Sequence, residues 1–299
     1  GILRAMQGAM RGAPEASSGL RPGLRGVMGR PFLRLDGLLN LAGLDAVHDE
    51  VCRALAEMPT EYTGGSHRSM EIMPPGLEHT ALVDYGEVIA ALDDAQYDTL
   101  CSLADDPDAA REVPRDEAVW GEERALPLSR RQMLWLEYRH RVYFPWKVYL
   151  EMIPNRWWGD KSRGADKRFT RLAESFLPRT VALVRSLPFV EIGRCNVMGL
   201  RAHDHGTVHR DGEPEAQGEP DHFITLCPVP GKRLYLYDPT ADGERKVPVD
   251  GTAYWFNDHD YHGVEADPYF RYSIRVDGVF RPEFVEALQA LARDGGGAP

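Results

Sequence analysis

In "AHDHGTVHRDGE", residues 202–213, His203, Asp204, His205, His209 and Asp211 crowd three histidines and two aspartates into nine positions of a chain with ten histidines in all. Imidazole nitrogens and carboxylate oxygens are ligands for divalent transition metals, so this density points to metal chemistry. If Val208 to Asp211 is the end of a strand, side chains two apart share a face, and His209 and Asp211 project together while Arg210 points away. A third ligand must come from elsewhere, and "NDHDYHGV" offers His259 and His262. His203 and His205 form a rival pair, but Asp204 sits on the opposite side and no carboxylate follows two residues on, so they are expected at a pocket mouth or in a loop. His259 has the wrong parity to share a strand face with His262 and reads as a turn residue.

Two histidines and one carboxylate on one face of a metal leave its remaining positions open, the facial arrangement of non-haem Fe(II) oxygenases, where a co-substrate and dioxygen need those positions. A second strand bears on this. "FRYSIRVDG" puts Arg271, Ser273, Arg275 and Asp277 on one face and Tyr272, Ile274 and Val276 on the other. Inward arginines are costly without an anion, and guanidinium grips carboxylate bidentately, so a dicarboxylate is the expected guest. Arg271 and Arg275 stand ~13 Å apart at ~3.3 Å per residue, too far for one small molecule to need both. Arg275 is therefore expected to pair with Asp277 or to reach substrate.

Taken together, His209-Arg210-Asp211 as H-x-D, a distal His262, Arg271 nine residues later and Ser273 in an R-x-S arrangement resemble the Fe(II)/2-oxoglutarate-dependent oxygenases. The run "GTAYWFNDHDYHGVEADPYFRYSIRVDG" looks most like the aspartyl/asparaginyl and proline hydroxylase branch. The likeness covers roughly residues 189–280. It implies a double-stranded β-helix (jelly-roll, cupin-like) core, Fe(II) held by His209, Asp211 and His262, and 2-oxoglutarate chelating the iron with its far carboxylate on Arg271 beside Ser273. That branch usually carries an R-x-H-x-P strand; here "DHFITLCP" has no arginine, so His222 or Arg194 is expected to supply the secondary contact.

The activity implied is that of a dioxygenase: O2 and 2-oxoglutarate are consumed, succinate is released, and an unactivated C–H bond of an amino acid or peptidyl side chain is hydroxylated, with ascorbate as the reductant in vitro. Because Asp211 is present, halogenation is not expected. The rival of a different class is a catalytically silent metal-binding sensor or scaffold module. A weaker one is a metal-dependent isomerase or hydrolase, which would leave Arg271 without a diacid to bind.

The elements that must position these residues follow from texture. After Pro188, "FVEIGRCNVMGL", "HFITLCPV", "RLYLYD", "RKVPV", "GTAYWFND" and "RYSIRVDGVF" read as short strands between Gly, Pro and Asp turns, Asp238 among them. Trp255 and Phe256 read as packing, and "PEFVEALQALARD" as a closing helix. Residues 188–299 are thus expected to form the β core. Residues 35–187 are expected to form a helical accessory region, because "LLNLAGLDAVHDEVCRALAEM", "EVIAALDDAQYDTLCSLADD" and "RFTRLAESFLPRTVALVRSL" space apolar residues three and four apart, the last divided or kinked at Pro178. Residues 105–124, dense in acids, read as an exposed loop. The basic, aromatic stretch 130–171 reads as a helix pair, with Arg156, Trp157 and Trp158 as a wall for substrate. Residues 1–34 carry six arginines against Glu15 alone and are expected to be a flexible basic leader; Met28 offers an alternative start.

A net charge of -11 argues against a broad nucleic-acid surface. The four cysteines, Cys52, Cys101, Cys195 and Cys227, have neither metal-knuckle nor disulfide spacing. With no apolar run near the roughly 20 residues a bilayer requires and no secretory h-region, a cytoplasmic protein with a small-molecule or peptide substrate, and no nucleic-acid or membrane partner, is expected.

Overall fold

The computed structural model describes residues 19–58, 71–74, 76–77, 83–121, 126–145, 148–229 and 231–295, without the side chain of Trp158. Helix α1 (Leu44–Glu57) buries Leu44, Val47, Val51 and Ala54, the stripe that its apolar spacing dictates. The run 87–106 breaks in two, α2 (Tyr85–Ala90) and α3 (Asp94–Ser102), because Asp93 and Gln96 close a capping box that starts a new helix. The acidic stretch expected as a loop contains α4 (Pro107–Glu112), with Asp106 accepting from the Ala109 amide and proline in the first turn. A second capping box, Ser129 with Gln132, opens α5 (Arg130–His140). Ile89, Leu100, Met133, Leu136 and Phe144 close these helices around an apolar cluster of their own.

The helix pair expected over 130–171 is corrected. Arg141 turns left-handed and ends α5, and "VYLEMI" then forms strand β3 (Val148–Ile153), which pairs with β4 (Phe189–Leu200). Helices α6 (Arg171–Phe176) and α7 (Pro178–Ser186) are separate, divided at Pro178, which sits in the first turn of α7 where its missing N–H costs nothing.

The remaining strands are β1 (Phe32–Arg34), β2 (Ile72–Met73), β5 (His205–His209), β6 (Phe223–Leu226), β7 (Leu234–Tyr237), β8 (Lys246–Pro248), β9 (Ala253–Phe256), β10 (His262–Val264) and β11 (Arg271–Phe280). They form two antiparallel sheets, ordered β1-β9-β6-β11-β4-β3 and β2-β5-β10-β7-β8. Both contribute to one apolar core, with Leu33, Ile224, Phe256 and Ile274 from the first and Ile72, Leu236 and Val264 from the second. Residues before 188 therefore supply strands to both sheets, not helices alone.

The leader expectation is also corrected from residue 19 onward; residues 1–18 lie outside the described residues. Leu24 and Val27 are buried, β1 pairs with β9, and Arg30 Nε donates to the Ala292 carbonyl at the end of α8 (Pro282–Arg293). Asp260 accepts from the amides of Arg25 and Gly26 at 2.7 and 2.8 Å. Gly26 has φ +64°, and a Cβ there would stand 2.2 Å from the Arg30 carbonyl oxygen, so this turn admits only glycine. No helix among the described residues is long and apolar enough to cross a membrane.

Helix α1 lies against the outward face of β11, where His48 Nδ1 meets the Tyr272 hydroxyl at 2.9 Å and the two rings stack. Glu50 on α1 caps α7 from outside, accepting from the Arg179 and Thr180 amides at 2.9 and 2.8 Å and from Thr180 Oγ1 at 2.7 Å. A carboxylate at a helix N-terminus satisfies orphan donors and the dipole together. Glu50→Ala is expected to lower stability by about 1–2 kcal/mol, read as a shift in urea midpoint at unchanged m-value.

Candidate metal centre

His209 ends β5 and His262 begins β10, and the antiparallel register sets them directly opposite each other. Their ring centroids lie 4.5 Å apart. Each Nδ1 is tied to a backbone carbonyl two residues back, His209 to Thr207 and His262 to Asp260, both at 2.8 Å. A carbonyl can only accept, so Nδ1 carries the proton in both rings and each Nε2 presents a lone pair.

Asp211 completes the group, but not from the strand as the i, i+2 argument supposed. β5 stops at His209; Asp211 lies beyond it, held by its amide on the Asp258 carbonyl at 2.8 Å. Its Oδ1 stands 3.5 Å from His209 Nε2 and 3.8 Å from His262 Nε2. Cis ligands ~2.1 Å from one ion are ~3 Å apart, so small side-chain adjustments would close these donors on a metal. The donor set, two imidazoles and one carboxylate, fits a divalent transition ion with open positions.

Behind the ligands lies a buried ionic cluster. Arg275 Nη1 donates to Asp211 Oδ2 at 3.1 Å, Nη2 donates to Asp258 Oδ2 at 2.6 Å, and the guanidinium also grips Asp277. Asp277 is shared with Arg194 at 3.0 Å. Lys161 Nζ sits between Asp258 and Asp221, 2.9 and 3.0 Å away. Three cations thus meet four carboxylates, and the uncompensated charge faces the imidazoles. Burial by itself would raise the Asp211 carboxyl; the adjoining His209 imidazole, then His262 and Arg275, reverse this and hold it well below the usual carboxylate range. Burial pushes the His262 imidazole down, against Asp211. An ionised Asp211 and a neutral His262 are the forms that bind metal. Asp221, Asp258 and His259 also approach one another, but the Lys161 ammonium already occupies the space between the two carboxylates.

The other sequence-derived residues fall into place around this centre. β11 faces as its alternation required, with Arg275 and Asp277 toward the ligands and Tyr272 toward α1. Ser273 lies one same-face step from Arg275 and accepts from the Lys232 amine. Arg271, further along, donates to the carbonyls of Arg201, Asp204 and Glu265 and so clamps two loops. Arg194 is committed to Asp277. His222 lies away from the centre, stacked on Phe280 at 4.4 Å and accepting from the Phe280 amide at Nδ1. Arg156 pairs with Asp160 at 2.8 Å and lies over the exposed Trp157 ring; the Trp158 side chain lies outside the described residues. From that basic segment it is Lys161 that reaches the carboxylate cluster. His259 is a turn residue, its amide on Asn257 Oδ1, and Asp238 accepts from Thr240 within its turn. Sequence reasoning missed Lys161, Asp258 and Lys232. Asp258 lay inside "NDHDYHGV" and could have been noticed as a third acid near the ligands, whereas Lys161, 97 positions away, had no local signal.

No family model matches the chain, and no curated protein matches it. Among solved structures, it is similar to an oxidoreductase of the 2OG-Fe(II) oxygenase family from Burkholderia pseudomallei (11% identity, TM-score 0.28, covering 43% of this chain and 66% of that one). A Pseudomonas putida prolyl-4-hydroxylase shares 15% identity at TM-score 0.25, over 38% of this chain and 67% of its own. A Trichoplax adhaerens prolyl hydroxylase, in complex with a hypoxia inducible factor oxygen degradation domain peptide fragment, shares 18% at TM-score 0.25, over 46% and 74%. The chain spans just under two thirds of the length of the first of these.

His209→Ala is expected to abolish Mn(II) binding in calorimetry, with the fold retained by circular dichroism. Arg275→Lys, which keeps the charge but loses the fork, is expected to weaken Mn(II) binding ~10- to 100-fold. Asp160 accepts from Arg156 and Lys167. Burial opposes ionisation there, but these bonds take its carboxyl from 3.8 down to about 2. The stability this contributes is complete above 3.8 and lost as pH falls through about 2. Asp160→Asn should therefore lower the urea midpoint at neutral pH and flatten its fall on acidification.

Proposed function

We propose that the protein is an Fe(II)- and 2-oxoglutarate-dependent dioxygenase that hydroxylates an unactivated C–H bond. The observation that carries this is the convergence of His209 Nε2, His262 Nε2 and Asp211 Oδ1 from two paired strands and an adjoining loop, with both Nδ1 atoms committed to carbonyls. The two sheets are read as the major and minor sheets of a double-stranded β-helix, the ligands standing at one end of the minor sheet.

When bound, ferrous iron supplies the chemistry that couples reductive activation of O2 to oxidative decarboxylation of 2-oxoglutarate, giving succinate and CO2, with one oxygen atom going to the substrate carbon. The chain's own residues bind and orient. Arg275 holds one oxygen of Asp211, leaving the other for the ion, and so favours monodentate ligation that keeps positions free. The Thr207 and Asp260 carbonyls fix ring orientation. Ser273 and Arg271 stand on the same inward face and offer polar contacts to the co-substrate. The packed core beside Phe223 and Phe256 excludes water from one side of the centre.

The substrate is read as an amino acid or a peptidyl amino-acid side chain, with the exposed Arg156 and Trp157 as part of its approach. A small-molecule or peptide partner in the cytoplasm, with ascorbate sustaining turnover in vitro, completes the reading. The purified protein with Fe(II), ascorbate and 2-oxoglutarate is expected to release succinate, faster with substrate, and His209→Ala is expected to release none. Arg271→Ala is expected mainly to raise the 2-oxoglutarate requirement. Tight metal binding with no succinate under any condition would favour a silent sensor or scaffold.

A further inference from the structure

Cys227 stands just past β6, where its amide donates to the Thr252 carbonyl at 2.7 Å. Thr225 pairs with Tyr254, so Cys227 and Tyr254 share a sheet face and are diagonal neighbours across the two strands, a spacing that an aromatic side chain bridges. Thiol and phenol meet there, Sγ to Oη at 3.6 Å, with both residues buried. Burial pushes both groups up, so each keeps its proton at neutral pH. A neutral, buried thiol is inert as a nucleophile. What such a pair can do is lose hydrogen atoms, and both members line a cavity of about 210 Å³ that gives their side chains room to turn.

The pair is also in ring contact with the metal centre. Tyr254 and Phe256 lie two apart on β9 with ring centroids 6.2 Å from each other, and Phe256 meets the His262 ring edge-on at 5.2 Å. Aromatic rings thus run in sequence from a candidate metal ligand to the phenol. Beside the thiol, burial draws the Lys232 amine down to about 8, with the thiol opposing this, so a base is at hand for a departing proton. A second cysteine–tyrosine contact, Cys101 with Tyr97 on α3, belongs to the apolar cluster of the helices and not to the core that holds the centre.

We propose that Cys227 and Tyr254 are a modification site, at which a thioether closes from Sγ to the ring carbon beside the Tyr254 hydroxyl when the centre turns over without substrate. This rests on the oxygenase reading, which supplies the oxidant. 2-Oxoglutarate and O2 give succinate and CO2 with one oxygen atom left to transfer. With no substrate carbon to receive it, the S–H bond and one ring C–H bond break, the S–C bond forms, and the two hydrogens leave with that oxygen as water. The pair is oxidised by two electrons, and the O2–2-oxoglutarate couple is reduced to match. The link ties the end of β6 to β9 and diverts an idle oxidising equivalent from the ligand histidines.

The test starts from protein prepared free of iron and then given Fe(II), 2-oxoglutarate and air without substrate. Its intact mass is expected to fall by two hydrogen atoms, a loss that survives thiol reduction, and fragmentation is expected to show the Cys227 peptide joined to the Tyr254 peptide. Cys101 is expected to remain open to alkylation. Under argon, with Mn(II) in place of iron, or in His209→Ala, no link is expected, and Tyr254→Phe is expected to leave Cys227 open to alkylation. Succinate release from wild type with Cys227 still fully alkylated overturns the proposal and leaves the oxygenase reading standing. A link that forms equally in His209→Ala, or a Cys101–Tyr97 link that forms as fast, overturns it as well, because the oxidant would not be the centre. Neither succinate nor a link overturns the oxygenase reading itself, and this inference with it.

Discussion

One guanidinium holds the centre together. Arg275 is buried, and a lone cation there would cost several kcal/mol, so its position is stable only because Asp211, Asp258 and Asp277 converge on it. Asp211 and Asp258 come from the loops after β5 and before β10, and Asp277 from β11 itself. The arginine therefore fixes the distance between the two sheets at the place where the imidazoles meet. The Asp211 carboxylate, a candidate ligand, is oriented by the bond from Arg275 to its Oδ2.

The loop carrying Asp258 and Asp260 is braced by two segments far from it in the chain. Residues 25–26 donate two amides to Asp260, and the Asp260 carbonyl in turn accepts from His262 Nδ1. Lys161, from the basic segment between β3 and α6, reaches Asp258 from the other side. Segments with no ligand of their own thus decide the tautomer of His262 and the charge behind Asp211. This is the ordinary logic of outer-shell groups, which tune a metal site by holding its ligands still.

Helices and strands are short here because local chemistry overrides long apolar runs. The apolar pattern of 87–106 continues through Leu92, yet the Asp93–Gln96 box restarts the helix. The stretch 130–171 reads as a helix pair, yet Val148–Ile153 forms a strand beside β4 that buries Val148, Met152 and Ile153. Residues 19–34 look solvated by composition, but Leu24, Val27 and Leu33 give them enough apolar surface to dock, which a charge count averages away.

What the residues alone determined was the local half of the site: His209 and Asp211 close in the chain, His262 as the partner with correct parity, and a β11 whose charged face points inward. The first two follow from ligand chemistry and the face of β11 from strand alternation, both local properties, whereas Asp211 lies beyond β5 and takes its position from the Asp258 carbonyl. The Arg275–Asp277 pair was legible in β11 itself, but the remaining pairings of cation with anion were decided only by the fold. Arg275 meets Asp211 64 positions away, Lys232 meets Ser273 41 away, and Arg271 meets the Arg201 carbonyl 70 away. Ion pairing depends on distance through space, and neither spacing along the chain nor side-chain type encodes that.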